Sequence, residues 1–303
     1  LAFSFSFAAP CHGFDTAFDY YQRAVELTRT GDPEGALEAM EEAYSLDDSN
    51  KNYQKALAVL SNNMGVRKAG AGDHDRAIDH FERALEIYPD DVTRQSLAQS
   101  FFAAERHYDA IRMFEELMDS DNSGTAKQAR WQLARVHFYL REFEDAAMVA
   151  EELLYEDDSN PEYHLLLAQC YEQTGDKERA AEHFALVQEL NISSELKTVA
   201  KKQQGRLERE AQVIEEFDQD GSRHFNLVFQ SGRREDLIES LLGHLEDAYD
   251  QVGRELNFYP RRETTVAVFT PDQFVTITQA PSWVAGQYQA WTIRIPVPTG
   301  GSR

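Results

Sequence analysis

Five stretches of the chain repeat one pattern: TGDPEGALEAMEEAYSLDD, AGDHDRAIDHFERALEIYPDD, ERHYDAIRMFEELMDSD, LREFEDAAMVAEELLYEDD and TGDKERAAEHFALVQELN. Each opens on a glycine or turn residue and continues into alanine and a larger apolar residue at four-residue spacing. The anchoring alanines are Ala36, Ala77, Ala110, Ala146 and Ala180, separated by 41, 33, 36 and 34 residues. A period near 34 calls for pairs of helices, because one supersecondary unit of that length hides its apolar face only by stacking on the next.

The spacing describes a packing problem and its solution. Ala77, Phe81 and Ala84 share one helical face, where alanine admits a neighbouring helix and the phenylalanine ring fills the space beside it. Gly65 fits a close helix crossing, Gly72 the turn inside a hairpin, and Pro89 the turn into the next unit. Ala168, Gly175 and Asn191 fill the same places in the last copy, and Ala98 and Glu105 fill them in part in the third. These residues resemble the tetratricopeptide repeat over residues 17–192. The first copy is followed by seven extra residues, about two helical turns, which predicts a long helix through NYQKALAVLSNNMGVRKA. The segment SSELKTVAKKQQGRLEREAQVIEEF, within residues 193–222, reads as a polar terminal cap or a rigid arm to the next domain.

The resemblance implies a curved solenoid whose first helices line a concave surface for a protein or peptide. Tyr20, Asn62, Arg94, Arg130 and His164 lie at or near the ligand-contacting position of such repeats. The alternative is that they are solvated or make contacts within the chain.

Charge narrows the partner. The 53 acids outnumber the 30 Lys and Arg residues, and residues 223–303 hold nine acids against eight basic residues, so the surplus belongs to residues 1–222. Such a field repels phosphate backbones, which argues against nucleic acid and leaves basic peptides or a plain solubility role. The two cysteines form no disulfide framework, and Cys170 in LLLAQCYEQTG reads as a buried thiol. No stretch reaches the length of a transmembrane span. LAFSFSFAAPCHG, in residues 1–16, reads either as the tail of a secretory leader or as an apolar arm docked on the domain.

No metal site is expected among the histidines. His74, His80, His107, His137 and His183 lie in ordinary repeats without four convergent ligands, and LLGHLEDAY lacks the His-Glu-x-x-His order. No phosphate cradle or nucleophile elbow stands out, so no catalytic residue is assigned.

Beyond FDQDGSR the texture changes. HFNLVFQ, TTVAVFT and QAWTIRIPV read as strands, and REDLIESLLGHLEDAYDQVGRELNF as a helix covering them through Leu237, Leu241, Leu245, Ala248, Tyr249 and Leu256. The fold expected is therefore mostly α, a tetratricopeptide-like helical-hairpin solenoid followed by a small α+β module at residues 223–303. Pro281, Trp283, Gly286 and the strand after them resemble the opening half of the MA-like, gluzincin-type peptidase domain, a family found beside tetratricopeptide repeats in bacterial exported proteins. That resemblance implies a periplasmic or cell-envelope location, with the cytoplasm as alternative. It also implies zinc ligands beyond residue 303 in a longer parent, so that the 303 residues hold no cofactor themselves. Gln289, Trp291, Ile293, Arg294 and Ile295 are then candidates for a strand that pairs with an extended substrate, or for an internal strand of the module's own sheet. Arg294 either meets a carboxylate or faces solvent. The function expected of this chain is protein recognition and scaffolding without catalysis, the alternative being the amino-terminal portion of a zinc-dependent peptidase.

Overall fold

A computed structural model of the chain describes residues 16–190, 193–230 and 235–297. The readings made for residues 1–15 with Cys11 and for Asn191 lie outside the described residues. The molecule is mostly helical, a series of helical hairpins followed by a small, open α+β module. It forms two compact units, residues 1–136 and 137–303.

In the first unit the hairpins are α1 (Ala17–Thr30) with α2 (Pro33–Leu46), α3 (Lys51–Gly70) with α4 (His74–Ile87), and α5 (Asp91–Ala103) with α6 (His107–Met118). Helix α7 (Ser123–Tyr139) begins the fourth and carries the division between the units. The second unit continues with α8 (Phe143–Glu156), α9 (Pro161–Thr174), α10 (Lys177–Glu189) and α11 (Ser194–Ile214). Helix α3 runs 20 residues, as the extra residues after the first repeat predict.

The helix starts are written in the sequence. Asp32, Asp73, Asp90 and Asp176 each accept a hydrogen bond from a backbone N–H in the first turn, satisfying a donor with no helical partner. The five anchoring alanines are all 0% exposed, so the period is a core period. Gly65 is required by closeness: a Cβ there would lie 2.6 Å from the Phe81 ring of the paired helix. Gly31, Gly72 and Gly175 hold left-handed φ values of 82°, 80° and 84° at the hairpin turns. Glu105 and Arg141 occupy the matching places in the third and fourth repeats with φ of 60° and 64°, a conformation that costs a side-chain-bearing residue energy.

The module is a five-stranded sheet of order β1-β2-β3-β5-β4, with β1 (Phe217–Gly221), β2 (Phe225–Gln230), β3 (Thr264–Phe269), β4 (Gln287–Gln289) and β5 (Thr292–Pro296). Strands β2, β3 and β5 run parallel, and β1 and β4 pair antiparallel at the two edges. Helix α12 (Glu235–Leu256) covers one face over Leu227, Val266 and Val268. The other face packs Ala267 and Phe269 against Phe274 and Ile277 of α13 (Pro271–Thr278) and against Val213 and Ile214 of α11. Leu241, Leu245 and Tyr249 of α12 pack on that face as the sequence reading has them, while Ala248 is exposed. Ile238 and Leu242 are the buried anchors, whereas Leu237 and Leu256 are exposed.

Candidate functional site

Within the first unit, the first helices of the hairpins present a set of apolar side chains to solvent. Phe18, Val59 and Val92 each stand 18 residues before an anchoring alanine, and Val25 and Val66 stand 11 before. All five are at least half exposed. Seven residues make two helical turns, so Phe18 and Val25 lie on one face of α1, and Val59 and Val66 on one face of α3. Helix α3 also packs on α5, and Val66, Ala69, Ser96, Gln99 and Ser100 line a cleft of about 240 Å³ together with His74 and Phe81 of α4. The matching positions of the fourth and fifth repeats hold Gln128, Arg135, Glu162 and Gln169, so the apolar set ends with the third.

A second cleft, of about 460 Å³, opens between the start of α5 and the end of α6. Its walls are Asp91, Glu116, Asp119 and Asp121, with Arg94, Ser120 and Asn122. Asp91 takes both the Arg94 guanidinium at 2.8 Å and a hydrogen bond donated by Ser120, which leaves the other acids as the cleft's net charge.

The positions picked from the sequence fall largely elsewhere. Tyr20 packs into the core formed by α1, α2 and α3. Arg94 is tied to Asp91, and Arg130 is half-buried. Asn62 is half-buried on α3, with its Oδ1 enclosed and lacking a hydrogen-bond partner. His164 is buried in the second unit: its Nε2–H donates to the Asp158 carbonyl at 2.8 Å, so its Nδ1 accepts from His183 Nδ1–H at 2.9 Å. Burial, with His164 alongside, lowers the His183 pKa below the usual imidazole value. An imidazole locked this way presents nothing to a ligand.

The terminal strand is also sealed. Strand β5 is hydrogen-bonded to β3 on one side and, through Thr292–Arg294, to β4 on the other, so Ile293 and Arg294 offer no free backbone edge to a substrate, while Ile295 pairs with Val268 of β3. Gln289 ends β4, the edge strand, and donates to Glu172 at 2.5 Å. Trp291 lies in the β4–β5 turn at a φ of 56°, facing Arg262. Ile293 and Ile295 pack toward α12, which turns Arg294 to the opposite face. There Arg294, 1% exposed, donates two hydrogen bonds to Glu210 of α11, at 3.1 and 2.7 Å. Lys177 reaches Glu210 at 3.0 Å, and Arg206 reaches Glu172 at 2.5 Å. Burial opposes ionisation of Glu210, but Lys177 and Arg294 hold its pKa below the usual value. Cys170, buried as expected, has its thiol pushed up to about 12 by burial.

Two groupings have the outline of chemistry. Ser222, His224 and Glu246 come together, but Ser222 and the His224 ring each bond to Glu246, at 2.6 and 2.6 Å. With the carboxylate between them the imidazole does not meet the hydroxyl, and the carboxylate, its pKa lowered to about 2, is too weak a base to activate it; the group ties the β1–β2 turn to α12. Among the described residues, one set of three has metal-ligand spacing: His137, Glu142 and Asp145. Its members come from both sides of a hairpin turn, a juxtaposition that the sequence reading did not consider.

Comparison with known proteins places the repeats. Models of the tetratricopeptide repeat match residues 20–90, and residues 96–161 and 131–195, together more than half the chain. No curated protein matches. Among solved structures, MamA from Desulfovibrio magneticus RS-1 aligns at 21% identity over 58% of this chain and 95% of its own, with a TM-score of 0.41. A tetratricopeptide repeat protein from Parabacteroides merdae aligns at 14% identity over 63% and 72%, with a TM-score of 0.47. YrrB, described as a tetratricopeptide repeat protein with an unusual peptide-binding site, aligns at 18% over 61% and 92%, also with a TM-score of 0.47. The expected kinship with MA-like peptidases is corrected by these matches: they are repeat proteins, and none has a peptidase fold. The set of residues with ligand spacing lies in a repeat turn, not in the module that carried that resemblance. Through residues 20–195, the chain belongs to the tetratricopeptide-repeat family.

Proposed function

We propose that the chain is a protein-binding scaffold whose first unit holds a segment of a partner protein, the segment being apolar along its contact face and basic beside it. The observation that carries this reading is the exposure of Phe18, Val25, Val59, Val66 and Val92 at repeat-equivalent positions of α1, α3 and α5. Five half-exposed apolar side chains at matched positions form a patch of the kind that marks an interaction site. The cleft walled by Asp91, Glu116, Asp119 and Asp121, between the start of α5 and the end of α6, selects a basic neighbour. The repeat architecture supports the same use, since stacked helical hairpins offer an extended surface for recognition and bring no catalyst of their own. Among the described residues no helix is long and apolar enough to cross a membrane.

The test is fluorescence anisotropy with a labelled amphipathic Leu/Lys peptide, comparing the unaltered chain with the Val59→Glu/Val66→Glu double variant. The patch accounts for binding if the double variant weakens it at least tenfold, about 1.4 kcal/mol. A salt-sensitive affinity that is equal in both proteins would mean that acidity alone holds the peptide, and would overturn the reading. So would no saturable binding to the unaltered chain.

A further inference from the structure

We propose that the turn joining α7 to α8 binds a divalent transition-metal ion through His137, Glu142 and Asp145. The repeats themselves provide the comparison. At the start of the second helix of a hairpin, the cap residue and the residue three later are an acid and an arginine in three repeats. Asp73 pairs with Arg76 at 3.5 Å, Asp176 with Arg179 at 2.6 Å, and Arg106 with Asp109, in reversed order, at 2.9 Å. In the fourth repeat both places are acidic, Glu142 and Asp145, and the arginine is missing. The first repeat has Asp32 and Gly35 at these places, so of the five turns this one alone has an acid at both.

Glu142 also abandons the capping role. Asp73 and Asp176 accept a backbone N–H of their own helices, whereas Glu142 makes no side-chain cap. Its carboxylate turns back to His137 Nδ1, 2.7 Å away at the end of α7. A ligand atom of Asp145 completes a set lying within 4.8 Å of one another. An imidazole–carboxylate pair accounts for His137 and Glu142 but gives Asp145 no counter-charge. A divalent ion balances both carboxylates and leaves the imidazole neutral, as a ligand must be.

The donor set chooses the class of ion. One imidazole nitrogen with two carboxylate oxygens suits zinc, manganese, cobalt or nickel; magnesium and calcium favour all-oxygen sites, and copper(I) favours sulfur. Ligands at about 2.0–2.2 Å from zinc stand roughly 3.3 Å apart in a tetrahedron. Asp145 is exposed, so its side chain can turn to close the set, with water in the remaining position.

Isothermal titration of Zn²⁺ into the chelator-stripped full chain tests the proposal, with Mg²⁺ as the control ion. The Asp145→Asn variant keeps the His137–Glu142 pair while removing the proposed third ligand, and His137→Gln removes the nitrogen donor. Expected is a saturable Zn²⁺ site that is weakened at least tenfold in each variant, with no comparable Mg²⁺ binding. A Zn²⁺ isotherm unchanged in both variants, or binding that Mg²⁺ reproduces, would reduce the cluster to an ordinary ion pair with an acidic neighbour. The absence of saturable Zn²⁺ binding would do the same. A circular dichroism spectrum matched to that of the unaltered chain distinguishes a lost ligand from a lost fold.

Discussion

A left-handed residue shows how one turn geometry is met with different chemistry. Gly72 holds a φ of 80° at no steric cost, while Glu105 is forced to 60° in the equivalent turn. Replacing Gly72 by alanine should cost about 1 kcal/mol, because the added Cβ crowds the backbone at positive φ. Replacing Glu105 by glycine should gain several tenths of a kcal/mol, the relieved strain exceeding the extra freedom of the unfolded chain. Urea unfolding of both variants checks the pair, and equal losses would show that the third turn carries no strain. A second residue links the fold to pH. Slight burial opposes ionisation of Glu246, but hydrogen bonds from Ser222 and from the His224 ring and backbone bring its pKa down to about 2. A carboxylate lowered in the folded state stabilises it above the unfolded pKa near 4.5, and that stability is lost as pH falls toward 2. The Glu246→Gln variant should be less stable than the unaltered chain at neutral pH, and the gap should close on acidification. A gap that stays constant down to pH 2 would mean that the pKa shift contributes nothing.

At the scale of elements, what the sequence made legible was whatever repeats or alternates. The anchoring alanines located every hairpin, and β2, β3 and β5 stood out as apolar runs. Strand β1, FDQDG, was missed because its side chains are mostly exposed and polar, and β4 because three residues carry no period. The apolar face of α1, α3 and α5 was missed for a different reason: each valine looks ordinary alone, and only its exposure at the same place in successive repeats marks it. Arg294 could be placed on a strand, but its partner Glu210 lies 84 residues earlier, beyond any local pattern. The crossing of α3 and α4 was legible and is testable. Gly65→Ala drives a methyl group against the Phe81 ring and should cost about 1–3 kcal/mol by overpacking. Adding Phe81→Leu, which removes the ring the methyl strikes, should recover part of that loss in thermal unfolding. A double variant whose loss equals the sum of the two single losses would show that the contact is not the source.

For the molecule as a whole, the question is where one cooperative unit ends. A helical array gains stability from nearest neighbours and frays by segments, whereas a buried ion pair between an array helix and a sheet joins them into one unit. Glu210 of α11 and Arg294 of β5 are 0% and 1% exposed, and Arg294 donates two hydrogen bonds to Glu210, which Lys177 also reaches. A buried charge left with no partner typically costs about 3–5 kcal/mol, and one that keeps other cations nearby costs less. Arg294→Met therefore leaves Glu210 buried with Lys177 and Arg206 as its remaining cations. The expected result, read by amide hydrogen exchange, is loss of protection in α9, α10 and α11 together with β2, β3 and β5. Helices α1 to α5, whose cores are built from their own alanines, should keep theirs. Loss confined to the strands would show that the sheet opens by itself and that the last repeat does not depend on it. Glu210→Leu/Arg294→Met, which removes both charges, should restore protection in both sets of elements. Its failure to do so would place the joining force in the apolar packing of α11 and α13 on the sheet.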